Sequence, residues 1–152
     1  MNIKNKSFLT SLYHAMQGFW DALRSERNLR VHFCIGNLIC FFAAFYGISR
    51  TEWAVLLLTV GFVISAELLN SAVEMAVDTA TREIRTDAMH AKDFAAAATL
   101  VSAIFSVAVG IALFGNITKI INALTGIFTS VHGIAILAML AIVDLRVLLM
   151  KK

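Results

Sequence analysis

The chain has 152 residues, of which 59% are hydrophobic and only 15% charged, and it contains no proline. Soluble domains run nearer to ~45–50% apolar and ~25% charged, so composition excludes an ordinary soluble fold and leaves helices uninterrupted. The net charge of +3 is too small, and its basic residues too little interleaved with aromatics, for a nucleic-acid-binding module. The class is an all-α, integral membrane helical bundle.

In chain order, residues 7–25 predict an amphipathic surface helix. Phe8, Leu12, Met16, Phe19 and Leu23 share one face, and Thr10, His14, Gln17, Asp21 and Arg24 lie on the other. Such a helix lies in the membrane interface. Residues 31–48 predict a first span, Ser49–Glu52 a short outer turn, and residues 53–78 a second helix. That helix runs ~39 Å, longer than the ~30 Å hydrocarbon core, so one end must leave the membrane. Residues 79–92 read as a polar loop or frayed helix end. Residues 94–114 form a third, Ala-rich span, suited to close helix contacts. Residues 115–126 read as an outer connection and 127–143, extending toward Met150, as a fourth span. Residues 1–114 thus form the core, and 115–152 an outer connection plus an extra C-terminal transmembrane helix.

Most basic residues fall on one side of these spans: Lys4, Lys6, Arg24, Arg27 and Arg30, then Arg82, Arg85 and Lys92, then Arg146, Lys151 and Lys152. Arg50 and Lys119 fall on the other. The bias places both termini in the cytoplasm. Trp20 and Trp53 read as interface anchors. Cys34 and Cys40, six residues apart, point in different directions and read as small apolar residues of the span. No cleavable signal peptide is evident.

The second helix carries the chemistry, in E-L-L-N-S-A-V-E-M-A-V-D from Glu67 to Asp78. In helical projection Glu74 lies ~20° from Glu67, Asp78 ~20° on the other side, and Asn70 ~60° away. Acids inside a membrane are costly and point to function. With Trp53 at the outer interface, Glu67 lies ~21 Å and Glu74 ~31 Å along the axis. The ~10 Å between them is too much for one small cation to bridge directly. The deeper acid therefore suits a partner in lipid, and the shallower one a partner from water. Glu26, where the surface helix meets the first span, stands at the level of Glu74, and two carboxylates plus phosphate oxygens are a common Mg²⁺ set. Lys92-Asp93 opens the third span at that level, where lysine could meet phosphate as a point charge. These parts suit phosphoryl transfer from a soluble nucleotide to a lipid alcohol, although no P-loop or protein-kinase signature is present.

The Glu67–Asp78 motif, with the downstream H-A-K-D-F-A-A-A-A and the upstream E-R-N-L-R-V-H, resembles the prokaryotic diacylglycerol kinase / undecaprenol kinase family, over about residues 7–114. The resemblance implies a surface helix and three spans, assembled as a homotrimer with active sites shared between subunits, in the bacterial cell membrane. It implies ATP as phosphate donor and Mg²⁺ as cofactor. Glu67 takes the place of the catalytic base and Glu26 and Glu74 those of the Mg²⁺ ligands. Asn70, Asp78, Lys92 and Asp93 take those of the polar shell around nucleotide and metal, and Glu83 that of a nucleotide contact. E-R-N-L-R-V-H is more similar to the branch that phosphorylates undecaprenol than to the one that converts diacylglycerol to phosphatidate. The fourth span departs from the family, and the distal ATP contacts around Ser7 and His14 depart from its pattern.

Other residues carry blander readings. His32 reads as an interfacial side chain with a hydrogen bond, with orientation of Glu26 or a phosphate as its functional alternative, His90 as solvated, His132 as a helix–helix contact, and Asp144 and Arg146 as a cytoplasmic helix end. A small proton-coupled exporter could also use an intramembrane glutamate, and an assembly scaffold is a third class. Neither would need Glu26, Asn70, Lys92 and Asp93 at one boundary.

Overall fold

The computed structural model describes residues 8–80 and 85–150. They form six helices: α1 Phe8–Ser25, α2 Arg27–Tyr46, α3 Arg50–Ala80, α4 Thr86–Phe114, α5 Ile117–Thr129 and α6 Val131–Leu148. Four of them, α2, α3, α4 and α6, are long and apolar enough to cross a membrane. The chain is an all-helical membrane protein.

Along α1, Phe8, Leu12 and Met16 remain uncovered by protein while Leu23 at its end is buried. A free apolar stripe of this kind suits a helix lying in the lipid interface. α1 ends at an elbow where Glu26 has extended backbone, φ −102° and ψ 114°. Arg30 fixes the elbow. Its Nη1 donates to the carbonyl oxygens of Leu23 (3.1 Å) and Arg24 (2.9 Å), satisfying orphan acceptors at the end of α1.

At the far end of α2, Gly47 takes the left-handed φ of +74° and its N–H donates to Ala43 O at 3.1 Å, the usual glycine stop. α3 then starts three residues earlier than the sequence suggests. Ser49 and Glu52 form a reciprocal capping box: the Ser49 N–H donates to Glu52 Oε2 (2.6 Å) and the Glu52 N–H to Ser49 Oγ (3.3 Å). The 31-residue α3 is ~46 Å long and overshoots the hydrocarbon core. α4 packs mainly along it, and Thr99 Oγ1 donates to Ala66 O at 3.4 Å. α2 approaches α3 closely at Gly36, where an added Cβ would lie 2.9 Å from Val60 Cγ1.

Further stretches differ from the sequence reading, and the fourth span, expected from residue 127, begins at Val131. Of the expected loop at 79–92, the part from Thr86 onward is the first turns of α4, so His90 and Lys92 sit on a helix. The expected outer connection at 115–126 is largely the helix α5. Asn116 caps it, accepting from the Lys119 N–H at 3.0 Å, and its own N–H donates to Tyr46 Oη at 3.2 Å. At 13 residues, or ~20 Å, α5 is too short to span. Ala123 packs with Ala43, Tyr46, Ile48 and Leu56, while Thr118, Asn122, Thr125 and Thr129 form an exposed polar stripe. α5 therefore caps the bundle end as an amphipathic helix.

Ser130 joins α5 to α6. Its N–H closes α5 on Gly126 O (3.2 Å), and its Oγ accepts from the Gly133 N–H (3.0 Å) to open α6. Gly133 is required by this tight bend, since a Cβ there would lie 2.4 Å from Ile127 O. α6 then runs back along α2 to the elbow, where Val147 joins Leu23, Leu29 and Cys34. Both cysteines are free.

Gly133→Ala should lower the melting temperature in detergent micelles, because backbone cannot yield as a side chain can. Gly110→Ala, whose Cβ meets nothing within 4 Å, should leave it unchanged or raise it. Equal effects would contradict the bend.

Candidate functional site

The buried positions of α3 are Leu56, Val63, Glu67 and Ser71, spaced as one helical stripe. Glu67 therefore occupies a core position and is only 3% exposed. An isolated ionised carboxylate is costly there. Its partner is His32 of α2, whose Nε2 lies 3.2 Å from Glu67 Oε1. Ser71 Oγ donates to the Glu67 carbonyl at 3.0 Å.

One turn further along α3 from Glu67, Asn70 Nδ2 donates to Glu74 Oε1, a turn beyond it, at 2.9 Å. This bond fixes the Glu74 carboxylate, while Asn70 Oδ1 is buried without a partner among the described residues. Glu26, at the elbow, makes no capping bond. Both Glu26 and Glu74 lie within electrostatic range of Glu67. The elbow thus adds Glu26 from a second segment to the acids carried by α3. At the end of the row Asp78 pairs with Lys92 of α4, tying α3 to α4 across their connection. Asp93 is exposed on α4, and Glu83 lies outside the described residues.

Among the described residues no three His, Cys, Asp or Glu side chains converge on one point. Two carboxylates with the remaining positions left to phosphate and water are nonetheless what Mg²⁺ accepts. Glu26, whose side chain makes no capping bond at the elbow, and Glu74, oriented by Asn70, fit that donor set.

An apolar cleft of about 70 Å³ runs between α2, α3 and α4, lined by Gly36, Ile39, Val60, Val63 and Gly110, with His32 also lining it. The histidine links the cleft to the buried acid. From sequence alone His32 reads as interfacial, with Glu26 or a phosphate as its alternative partner; in the structure its partner is Glu67. The one signal of this pairing was a polar residue set into an apolar span, two turns above Glu26.

A buried acid is thus paired with a histidine beside an apolar cleft, with further carboxylates along the same helix. The family model of prokaryotic diacylglycerol kinase matches residues 13–114. The chain belongs to that family. It is 36% identical over 107 residues to the undecaprenol kinase of Bacillus subtilis (strain 168), covering 70% of this chain and 87% of that protein. It is 37% identical over 105 residues to a diacylglycerol kinase of Synechocystis sp., covering 68% of this chain and 60% of that protein. It is 30% identical over 100 residues to a diacylglycerol kinase of Helicobacter pylori, covering 66% and 78%. No solved structure shows a significant match to the chain. The protein is a prokaryotic lipid kinase, a phosphotransferase with an alcohol acceptor, which sets aside the exporter and scaffold classes. The matched family region ends at Phe114, so α5 and α6 lie beyond it.

Removing one partner of a buried polar pair leaves the other unpaired at ~1–3 kcal/mol, whereas an exposed ion pair contributes ~0–1 kcal/mol. His32→Leu should therefore lower thermal stability in micelles measurably more than Lys92→Met. The reverse order would contradict the buried pairing.

Proposed function

We propose that this kinase transfers the γ-phosphoryl group of MgATP to the hydroxyl of undecaprenol, regenerating undecaprenyl phosphate. The observation that carries the mechanism is the burial of Glu67, held by His32, with Glu74 and Glu26 close by. Glu67 takes the proton of the lipid hydroxyl. The freed oxygen attacks the γ-phosphorus, the bond from phosphorus to the β–γ bridging oxygen breaks, and ADP departs. His32 orients Glu67 toward the acceptor. Glu26 and Glu74 would hold Mg²⁺, which when bound neutralises phosphate charge. Asn70 keeps Glu74 aimed. Asp78, Lys92, Asp93 and Glu83 form the polar surround of the nucleotide, and Lys92 reaches phosphate by exchanging its bond to Asp78.

The lipid choice rests on E-R-N-L-R-V-H and on the match to a relative named undecaprenol kinase. Diacylglycerol is the competing acceptor, given the two relatives named for it. Residues 1–114 make the kinase core and 115–152 an appended unit. The Lys/Arg distribution supports a multi-pass protein of the bacterial cell membrane with both termini cytoplasmic, and the family resemblance supports a homotrimer.

Labelled ATP offered with undecaprenol and diacylglycerol side by side should label undecaprenol faster. Preferential labelling of diacylglycerol would reverse the substrate assignment, and labelling of neither would end the kinase mechanism. Glu67→Gln should abolish turnover with MgATP binding retained. Glu74→Gln should shift the Mg²⁺ dependence to higher concentration; an unchanged Mg²⁺ dependence would remove Glu74 from the metal.

A further inference from the structure

α6 has no counterpart in the matched family region, and its contacts are few. Only Gly133, Asp144 and Val147 are buried along it, while Ile134, Met139, Ile142 and Leu145 are exposed. The sequence reading put Asp144 at a cytoplasmic helix end. Asp144 does lie four residues from the end of α6 at Leu148, and the structure adds that it is 6% exposed and faces α2 inside the bundle. Its Oδ1 accepts from Asn37 Nδ2 at 3.0 Å, and its carbonyl oxygen accepts from Cys34 Sγ at 3.7 Å. Its Oδ2 is buried without a partner among the described residues. Asn37 is ten residues, or ~15 Å, into α2 from Arg27, well within the span.

Apolar contacts cannot by themselves tell one helix rotation from another in lipid, because the lipid tails are as apolar as leucine. A buried polar pair can, since misalignment strands both groups. The Asp144–Asn37 bond therefore fixes where α6 sits along α2. That register delivers Val147, three residues on and on the same face, to the elbow. Leu23 and Leu29 are the largest fully buried side chains of the described residues, at 1% and 0% exposure. They lie three residues before and three after Glu26, and Val147 packs in one core with both. Met150 packs against the same core, as do Phe19 and Ala22 of α1 and Leu68 of α3, the neighbour of Glu67.

We propose that α6 braces the Glu26 elbow: Asp144 and Asn37 act as positioning residues that latch the fourth helix so that Val147 closes the core around the segment bearing Glu26. The nucleotide consequence rests on the reading of Glu26 as a metal ligand given above. The brace itself does not.

The test uses the full chain in lipid nanodiscs, with Asp144→Leu, Asp144→Asn, Asn37→Leu and the double variant Asn37→Leu/Asp144→Leu. Two quantities are read: steady-state kinetics toward MgATP and lipid, and hydrogen exchange of the backbone amides of residues 22–30. A loosened elbow that weakens binding of the metal–nucleotide equally in ground and transition states should raise KM for MgATP roughly tenfold, with kcat and the lipid KM within about twofold. Amide exchange at 22–30 should rise in parallel. Asp144→Asn keeps the acceptor oxygen and should restore both quantities. Asn37→Leu should be more damaging than the double variant, because it leaves an acid unpaired in the core. Unchanged exchange at 22–30 in Asp144→Leu overturns the brace, whatever the kinase assay gives. Raised exchange with an unchanged KM for MgATP overturns the link to the nucleotide and, with it, the assignment of Glu26 to the metal.

Discussion

The fold is organised around a carboxylate placed where water does not reach it. Glu67 occupies the buried stripe of α3, and its tolerance there depends on the imidazole of His32 at 3.2 Å. The pairing constrains α2 and α3 together. Sliding either helix by one residue would separate the two groups by ~1.5 Å axially and rotate them apart by ~100°. The close approach at Gly36 and Val60, one turn further along α2, supports the same register. Neither apolar packing nor lipid would enforce it so sharply.

From that pair the site extends along one helix in order of depth. α3 is long enough to hold Glu67 in the bundle and still carry Glu74 and Asp78 toward its free end. On the proposed reading the acceptor hydroxyl and the nucleotide approach from different media, and α3 would present a group to each. The elbow between α1 and α2 adds Glu26 from the side. Arg30 bonds backward to α1 and α6 packs against the elbow from outside, so the segment bearing Glu26 is held on two sides.

Much of this was legible in the sequence, for physical reasons specific to each part. The spans announce themselves through apolar length, and the row Glu67–Asp78 through helical spacing in a place where acids are costly. His32 was undervalued because the contact that matters is with a residue 35 positions away, which local spacing cannot supply. α5 escaped notice because Thr118, Asn122, Thr125 and Thr129 resemble a polar connection residue by residue. Only their spacing of three and four gives the helix away. That omission had a consequence downstream. With residues 117–129 taken up by α5, α6 starts at Val131, and Asp144, near the end of that helix, is covered by its packing on α2.

The central claim is the contact of His32 with Glu67, and solid-state NMR on the protein in bilayers tests it most directly. With ¹⁵N-histidine and ¹³C-glutamate labelling, His32 should show a protonated Nε2 with a dipolar contact to the Glu67 carboxyl carbon, lost in Glu67→Leu. An unprotonated Nε2, or no carboxyl contact, would contradict the account.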